Sequence, residues 1–125
     1  MELIKNLSLS VYAFGYCCGF INDQRPNAKE YQSLTPEDVA KISHSYGLGG
    51  VEVPVDRYFA NIDDGSLEEY IEFLSSMNLR LIFALENLNS DYFSKLAPLV
   101  KKTGGTFIRV KVGDFYGGNR FCQPD

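Results

Sequence analysis

The stretch Gly47–Phe59, which reads GLGGVEVPVDRYF, decides how the fold of this chain is interpreted. Its run Val51–Val55 has the apolar character of a buried strand, but the carboxylate of Glu52 lies inside it. Side chains along a strand alternate between two faces, so the three valines share one face, and Glu52, Pro54 and Asp56 share the other. One face therefore suits packing under helices, while the other offers a charged group.

Composition limits the chain to one modest domain and excludes several classes of partner. The chain has 125 residues, of which 45% are hydrophobic and 22% are charged, as in ordinary globular domains. A net charge of -4 without a Lys/Arg cluster argues against a nucleic-acid partner. No segment approaches the ~18 apolar residues of a membrane span, and the polar residues near the N-terminus argue against a signal peptide.

The cysteines point to a reducing environment. Cys17, Cys18 and Cys122 are odd in number and have no neighbouring histidine, so neither a disulfide framework nor a zinc site is expected. We therefore expect a cytoplasmic protein.

Strand-type and helix-type patterns alternate along the chain, which predicts an α/β fold with parallel strands joined by right-handed crossovers. An open doubly wound sheet and a closed β/α barrel both satisfy this pattern. The predicted strands are Leu7–Ala13, the apolar run after Gly50, Arg80–Glu86 and Thr106–Val112. The predicted helices follow Thr35, Ser66 and Asn89.

Capping patterns fix the ends of the first two helices. Thr35 is the expected N-cap of a helix in which Asp38 closes the capping box, and Gly47 ends that helix. Its expected apolar stripe is Val39, Ile42 and Tyr46. The second helix has a predicted capping box between Ser66 and Glu69, and apolar residues at helical spacing at Leu67, Tyr70, Ile71, Leu74 and Met77.

The third predicted helix carries one residue that disfavours helical structure. Pro98 lacks a backbone N–H and its ring crowds the preceding turn, so a kink or break is expected near residues 94–97.

The links that follow strands are longer than those that follow helices, which indicates elaboration at the carboxyl ends of the strands, where α/β enzymes build their sites.

Alternation gives each predicted strand one apolar face and one face with polar groups. The polar groups are Ser10, Tyr12, Glu52, Glu86, Arg109 and Lys111. A sheet covered by helices on both sides is usually apolar on both faces, whereas a barrel interior carries polar groups near its mouth. Glu52 is thus expected to face inward with Arg109 or Lys111 as its charge partner. A buried ion-pair network that only ties the sheet together is the alternative.

Three segments carry a resemblance to a known family: GLGGVEVPVDRYF, MNLRLIFALE and TGGTFIRVKVGDFYGG. Together they resemble the N-terminal half of the sugar phosphate isomerase/epimerase family, the xylose-isomerase-like TIM barrels, over Leu7–Gly118. The resemblance implies that residues 1–125 form the first four strands of an eight-stranded barrel, an incomplete half-barrel. The chain is then expected to be part of a parent about twice its length and to be inactive alone.

The resemblance also implies a chemistry. Such a protein interconverts or epimerises a sugar or sugar phosphate by moving a proton through an enediolate, with Mn²⁺, Mg²⁺ or Zn²⁺ as the divalent metal. The expected substrate-binding residues are Tyr12, Glu52, Glu86, Arg109 and Lys111. The family's metal ligands come mainly from later strands, so none is assigned here, and His44 is expected at the surface.

Two other functions remain open from the sequence. A half-barrel scaffold could serve as a non-catalytic remnant or binding module, and its exposed inner wall could support a homo-oligomer. A related barrel could also act as a metal-dependent endonuclease on abasic DNA, although the acidic balance argues against that role.

Overall fold

The computed structural model describes residues 2–15, 18 and 33–110. Within them a parallel, four-stranded sheet has the order β1-β2-β3-β4 and alternates with helices, which confirms the α/β class. The elements are α1 (Glu2–Lys5), β1 (Ser8–Ser10), a 3₁₀ helix (Val11–Phe14), α2 (Pro36–Ser45), β2 (Gly50–Pro54), α3 (Val55–Tyr58), a second 3₁₀ helix (Ile62–Asp64), α4 (Ser66–Ser76), β3 (Arg80–Leu85), α5 (Ser90–Lys102) and β4 (Arg109–Val110).

The chain divides into two compact units. The first unit comprises the residues up to Val53 together with Glu68–Ile82, and the second comprises Pro54–Leu67 with the residues from Phe83 onward. Strands β2 and β3 each begin in the first unit and end in the second.

In the first unit, β1 and β2 run parallel with Leu9 opposite Val51 and Ser10 opposite Glu52. β1 is shorter than the predicted strand Leu7–Ala13. It ends because the Ser10 hydroxyl accepts a hydrogen bond from the backbone N–H of Tyr12 at 3.2 Å and caps the 3₁₀ helix. The strand alternation predicted for Tyr12 is therefore wrong, since a helical turn replaces the extended backbone there.

Helix α2 has the predicted ends. The Thr35 hydroxyl accepts from the Asp38 N–H at 3.2 Å, the Asp38 carboxylate accepts from the Thr35 N–H at 3.0 Å, and Gly47 follows the helix with φ +73°. The predicted stripe holds for Val39 but fails at Tyr46, which is 74% exposed. Ser43 of this helix is buried, and the burial of its hydroxyl is compensated because it donates a hydrogen bond to the Gly50 carbonyl at 2.8 Å.

Two glycines allow the turn before β2 to approach the neighbouring backbone closely. A Cβ atom at Gly49 would lie 1.6 Å from the Lys5 carbonyl oxygen, and one at Gly50 would lie 2.7 Å from the Arg80 carbonyl oxygen. The Gly49 N–H donates to the Leu7 carbonyl and the Arg80 N–H donates to the Gly49 carbonyl, both at 2.9 Å. The GLGG sequence thus permits the hydrogen bonds that link the residue before β2 to the residue before β1 and to the first residue of β3.

Helix α4 confirms the predicted apolar stripe but not its predicted capping box. Leu67, Tyr70 and Leu74 are almost completely buried, and the Tyr70 hydroxyl donates to the Pro36 carbonyl at 2.9 Å. The first helical residue is Ser66 itself. Its N–H and its hydroxyl both donate to Asp64 Oδ1, at 2.9 and 2.6 Å, so Asp64 provides the capping carboxylate.

In the second unit, the end of β3 pairs with β4, with Ala84 opposite Arg109 and Leu85 opposite Val110. The described part of β4 is two residues long, and Lys111 and Val112 of the predicted strand lie outside the described residues. The prediction near Pro98 was a kink or a break; helix α5 runs unbroken through Pro98, so a break is wrong, while a kink stays a prediction. The inner residues Leu96 and Val100 of α5 are buried, and this packing holds the helix despite the proline.

None of the helices in the described ranges has the length and apolar character needed to span a bilayer.

Candidate functional site

Glu52 is the candidate site residue of the first unit. It lies in the middle of β2 between Val51 and Val53, both of which have no exposed surface, while Glu52 itself is half-buried. The Ser10 hydroxyl donates to Glu52 Oε1 at 3.0 Å. The parallel register places Ser10 directly opposite Glu52. The two strands therefore bring a serine hydroxyl and a carboxylate together on the face to which alternation assigns both, although their pairing was not predicted.

Ser10 connects two of the candidate residues. Its hydroxyl oxygen accepts a hydrogen bond from the Tyr12 N–H, and the same hydroxyl donates a hydrogen bond to Glu52 Oε1. A hydroxyl can fill both roles at once, so the start of the 3₁₀ helix and the orientation of Glu52 depend on the same side chain. Tyr12 lies in that helix and is half-buried.

Glu86 is the candidate site residue of the second unit, and it is the first residue after β3. Its Oε1 accepts from Arg57 Nη1 at 3.3 Å, with side-chain exposures of 21% for Glu86 and 36% for Arg57. The ion pair is thus only partly buried, and a small solute can reach it. An ion pair at this exposure contributes little to stability by itself, about 0–1 kcal/mol.

Asp56 holds the backbone that carries Glu86. Its two carboxylate oxygens accept from the Glu86 N–H at 3.0 and 3.1 Å, and Oδ2 also accepts from the Asn87 N–H at 3.0 Å. Asp56 reaches these groups because β2 ends at Pro54 and the chain turns directly into α3. The end of β3 is therefore tied down by a carboxylate that follows the neighbouring strand in sequence.

Among the described groups of the second unit, Tyr92 has the most perturbed ionisation. Burial raises the pKa of its phenol far above the ordinary value, and the negative charges of Asp56 and Asp64 raise it further. Its hydroxyl donates to the Phe59 carbonyl at 2.8 Å. Tyr92 therefore stays neutral and donates a hydrogen bond throughout the physiological range.

A second ion pair of this unit is more exposed. Lys95 Nζ lies 2.5 Å from Asp63 Oδ2, and the two side chains are 51% and 67% exposed. The hydrogen bond to Asp63 raises the pKa of Lys95. Because both groups stand in solvent, this pair offers a control for the partly buried pair of Arg57 and Glu86.

The positively charged candidates are placed only in part. Arg109 is exposed on β4 opposite Ala84, and Lys111 lies outside the described residues. The charge pairing expected between Glu52 and either residue stays a prediction. His44 is exposed on α2, as expected.

Sequence reasoning missed Asp56 and Arg57 as site residues. A signal for Asp56 was present, since strand alternation put it on the same face as Glu52. No comparable signal marked Arg57, because its contact with Glu86 joins residues that are distant in sequence.

Across residues 2–15, 18 and 33–110, no group of three or more His, Cys, Asp or Glu side chains is arranged to hold a metal ion. No metal ligands are therefore assigned within the described part of the chain, and no reaction step is assigned to a metal here.

Comparison of the chain with family models, with curated proteins and with solved structures gave no significant match.

Proposed function

We propose that this chain supplies substrate-binding groups of a sugar or sugar phosphate isomerase or epimerase of the β/α-barrel type. The reaction is proton transfer between neighbouring carbons of the sugar through an enediolate, and a divalent metal, if bound, would stabilise the negative charge on the sugar oxygens. The groups assigned here bind and orient hydroxyls. The proton-transferring group is assigned to none of the described residues.

The observation that carries the proposal is the half-buried carboxylate of Glu52 on a strand whose adjacent valines are fully buried. Burying a carboxylate is costly unless hydrogen bonds compensate it. The Ser10 hydroxyl supplies one such hydrogen bond, to Glu52 Oε1 at 3.0 Å. Sugar hydroxyls are donors, and polar groups that converge in an otherwise apolar setting are what orient small polar ligands.

Glu86 supports the proposal independently in the second unit. It follows strand β3 of the parallel sheet, and it is held by Arg57 through its side chain and by Asp56 through its backbone. Carboxyl ends of parallel strands are where α/β enzymes place ligand-binding groups. Tyr12, Arg109 and Lys111 remain the further substrate-binding residues of the proposal.

Binding of sugars to the full chain tests the proposal. We expect D-xylose, D-fructose or their phosphates to bind, with affinity measured by calorimetry or NMR titration. Glu52→Gln keeps the shape of the side chain but removes its charge, and it should weaken binding by about tenfold, the loss expected for a hydrogen bond to a charged group.

Glu72→Gln is the matched control, because Glu72 is an exposed carboxylate of the same unit on α4. It should leave the affinity unchanged. The proposal fails if none of these sugars binds, or if the two glutamine variants behave alike.

A further inference from the structure

The loop after β3 is restrained at two points by two residues adjacent in sequence. Asp56 binds the backbone of Glu86 and Asn87 through three N–H···O contacts of 3.0 to 3.1 Å. Arg57 binds the side chain of Glu86 at 3.3 Å. The backbone position and the carboxylate orientation of Glu86 are thus fixed by separate contacts, all within the second unit.

The paired groups have complementary roles toward a hydroxyl ligand. A carboxylate only accepts hydrogen bonds, whereas a guanidinium only donates them through a planar fork. Of two adjacent hydroxyls, one can donate a hydrogen bond to the carboxylate while the other accepts a hydrogen bond from the guanidinium. Since Glu86 and Arg57 are 21% and 36% exposed, a small solute can reach both groups.

We propose that Arg57 is a further substrate-binding residue and Asp56 a positioning residue, and that Glu86 and Arg57 together recognise two adjacent hydroxyls of a polyol. This inference rests on the proposed function and names the feature of the sugar, a vicinal diol, that the second unit binds. Asp56 acts through the backbone of Glu86 and does not touch the ligand.

The test compares two probes on the full chain by NMR titration. Xylitol carries a hydroxyl on every carbon, whereas pentane-1,3,5-triol has the same chain length and no adjacent hydroxyls. We expect the unaltered chain to bind xylitol more tightly. Arg57→Gln should weaken xylitol binding at least about tenfold, the loss expected for a charge-assisted hydrogen bond, and leave triol binding nearly unchanged.

Two further variants separate recognition from folding. Arg57→Lys keeps the charge but not the planar fork, so it should restore only part of the preference for xylitol. Lys95→Gln removes the exposed ion pair with Asp63 of the same unit and should leave both affinities unchanged. If Arg57→Gln weakens both probes equally, or no more than Lys95→Gln does, the diol assignment is wrong.

The positioning role has a measurement that needs no ligand. Asp56→Ala should accelerate hydrogen exchange of the Glu86 and Asn87 amides, and Asp56→Asn, which keeps one acceptor oxygen, should do so less. Arg57→Gln should shift the Glu86 carboxyl carbon signal, while Lys95→Gln should not. If hydrogen exchange of the Glu86 and Asn87 amides is unchanged in Asp56→Ala, the positioning role of Asp56 is wrong even if polyols bind. Failure of every sugar and of xylitol to bind would instead overturn the proposed function and the diol assignment with it.

Discussion

At the scale of single residues, the candidate site of the first unit is a polar side chain next to fully buried neighbours. Glu52 lies between two valines without exposed surface, and strand alternation alone predicted that it faces away from them. Its hydrogen-bond partner Ser10 could be predicted only as a residue of the same face. The pairing itself depends on the register of β1 against β2, which local patterns do not determine.

The ionisation of Tyr92 gives a prediction for alkaline conditions. Because burial and two nearby carboxylates raise the phenol pKa above its ordinary value of 10.0, the folded state favours the neutral form. The stability that Tyr92 contributes is therefore complete below 10.0 and is lost as the pH rises above it. We expect Tyr92→Phe to cost about 0.5–1.5 kcal/mol at neutral pH through the lost bond to Phe59.

The difference between the wild type and Tyr92→Phe should shrink when urea unfolding is repeated above that pH. A difference that stays constant or grows in alkali would show that the phenol is not favoured in its neutral form by the fold.

Gly49 gives a prediction about close backbone approach. A Cβ atom there would lie 1.6 Å from the Lys5 carbonyl oxygen, so Gly49→Ala should destabilise the chain by at least about 3 kcal/mol or prevent folding. Gly47→Ala is the matched control, since Gly47 has φ +73° but no atom within 4 Å of an added Cβ. Its cost should be about 1–2 kcal/mol. Thermal unfolding of the two variants decides the point, and equal losses would contradict the close approach.

At the scale of elements, the best-predicted features are those fixed by contacts within a few residues. The box between Thr35 and Asp38 was readable from sequence because both hydrogen bonds join residues three apart. Some features that depend on local contacts were nevertheless predicted wrongly. Tyr46 lies at helical spacing but is exposed, and β1 ends early because Ser10 caps a 3₁₀ helix.

The capping box of α2 makes the acid stability of that helix testable. Hydrogen bonds from the N–H and the hydroxyl of Thr35 lower the pKa of Asp38 below its ordinary value of 3.8. A carboxyl with a lowered pKa stabilises the fold above its unfolded pKa, and that contribution is lost as the pH falls through the folded value. Asp38→Asn should therefore unfold more easily than the wild type at neutral pH, and the difference should vanish in strong acid.

Melting temperatures of the two proteins across the acid range provide the measurement. A difference that widens on acidification would mean that the Asp38 carboxylate does not stabilise α2.

Pro98 gives a second prediction for an element. It lies exposed inside α5, where it removes one helical hydrogen bond. Pro98→Ala should raise stability by about 1–2 kcal/mol, the helical gain less the greater freedom of the unfolded chain. A lower unfolding midpoint in urea would show that the helix needs the proline.

At the scale of the whole chain, alternation of patterns correctly predicted an α/β fold with parallel strands. It did not separate an open sheet from a barrel, because closure depends on strand tilt and stagger that local patterns do not encode. The candidate residues were predictable to the extent that they share a strand face. Asp56 and Arg57 act through contacts between separate elements, so the sequence did not reveal their roles.

Binding mapped onto the sequence tests the central claim, that polar groups on the faces of parallel strands bind sugar hydroxyls. D-xylose added to the ¹⁵N-labelled full chain should shift the amide signals of Ser10 and Glu52 in a saturable way, and Glu52→Gln should weaken that response about tenfold. Signals of Ser10 and Glu52 that stay fixed across the sugar panel, or that respond equally in the Glu52→Gln variant, would contradict the account.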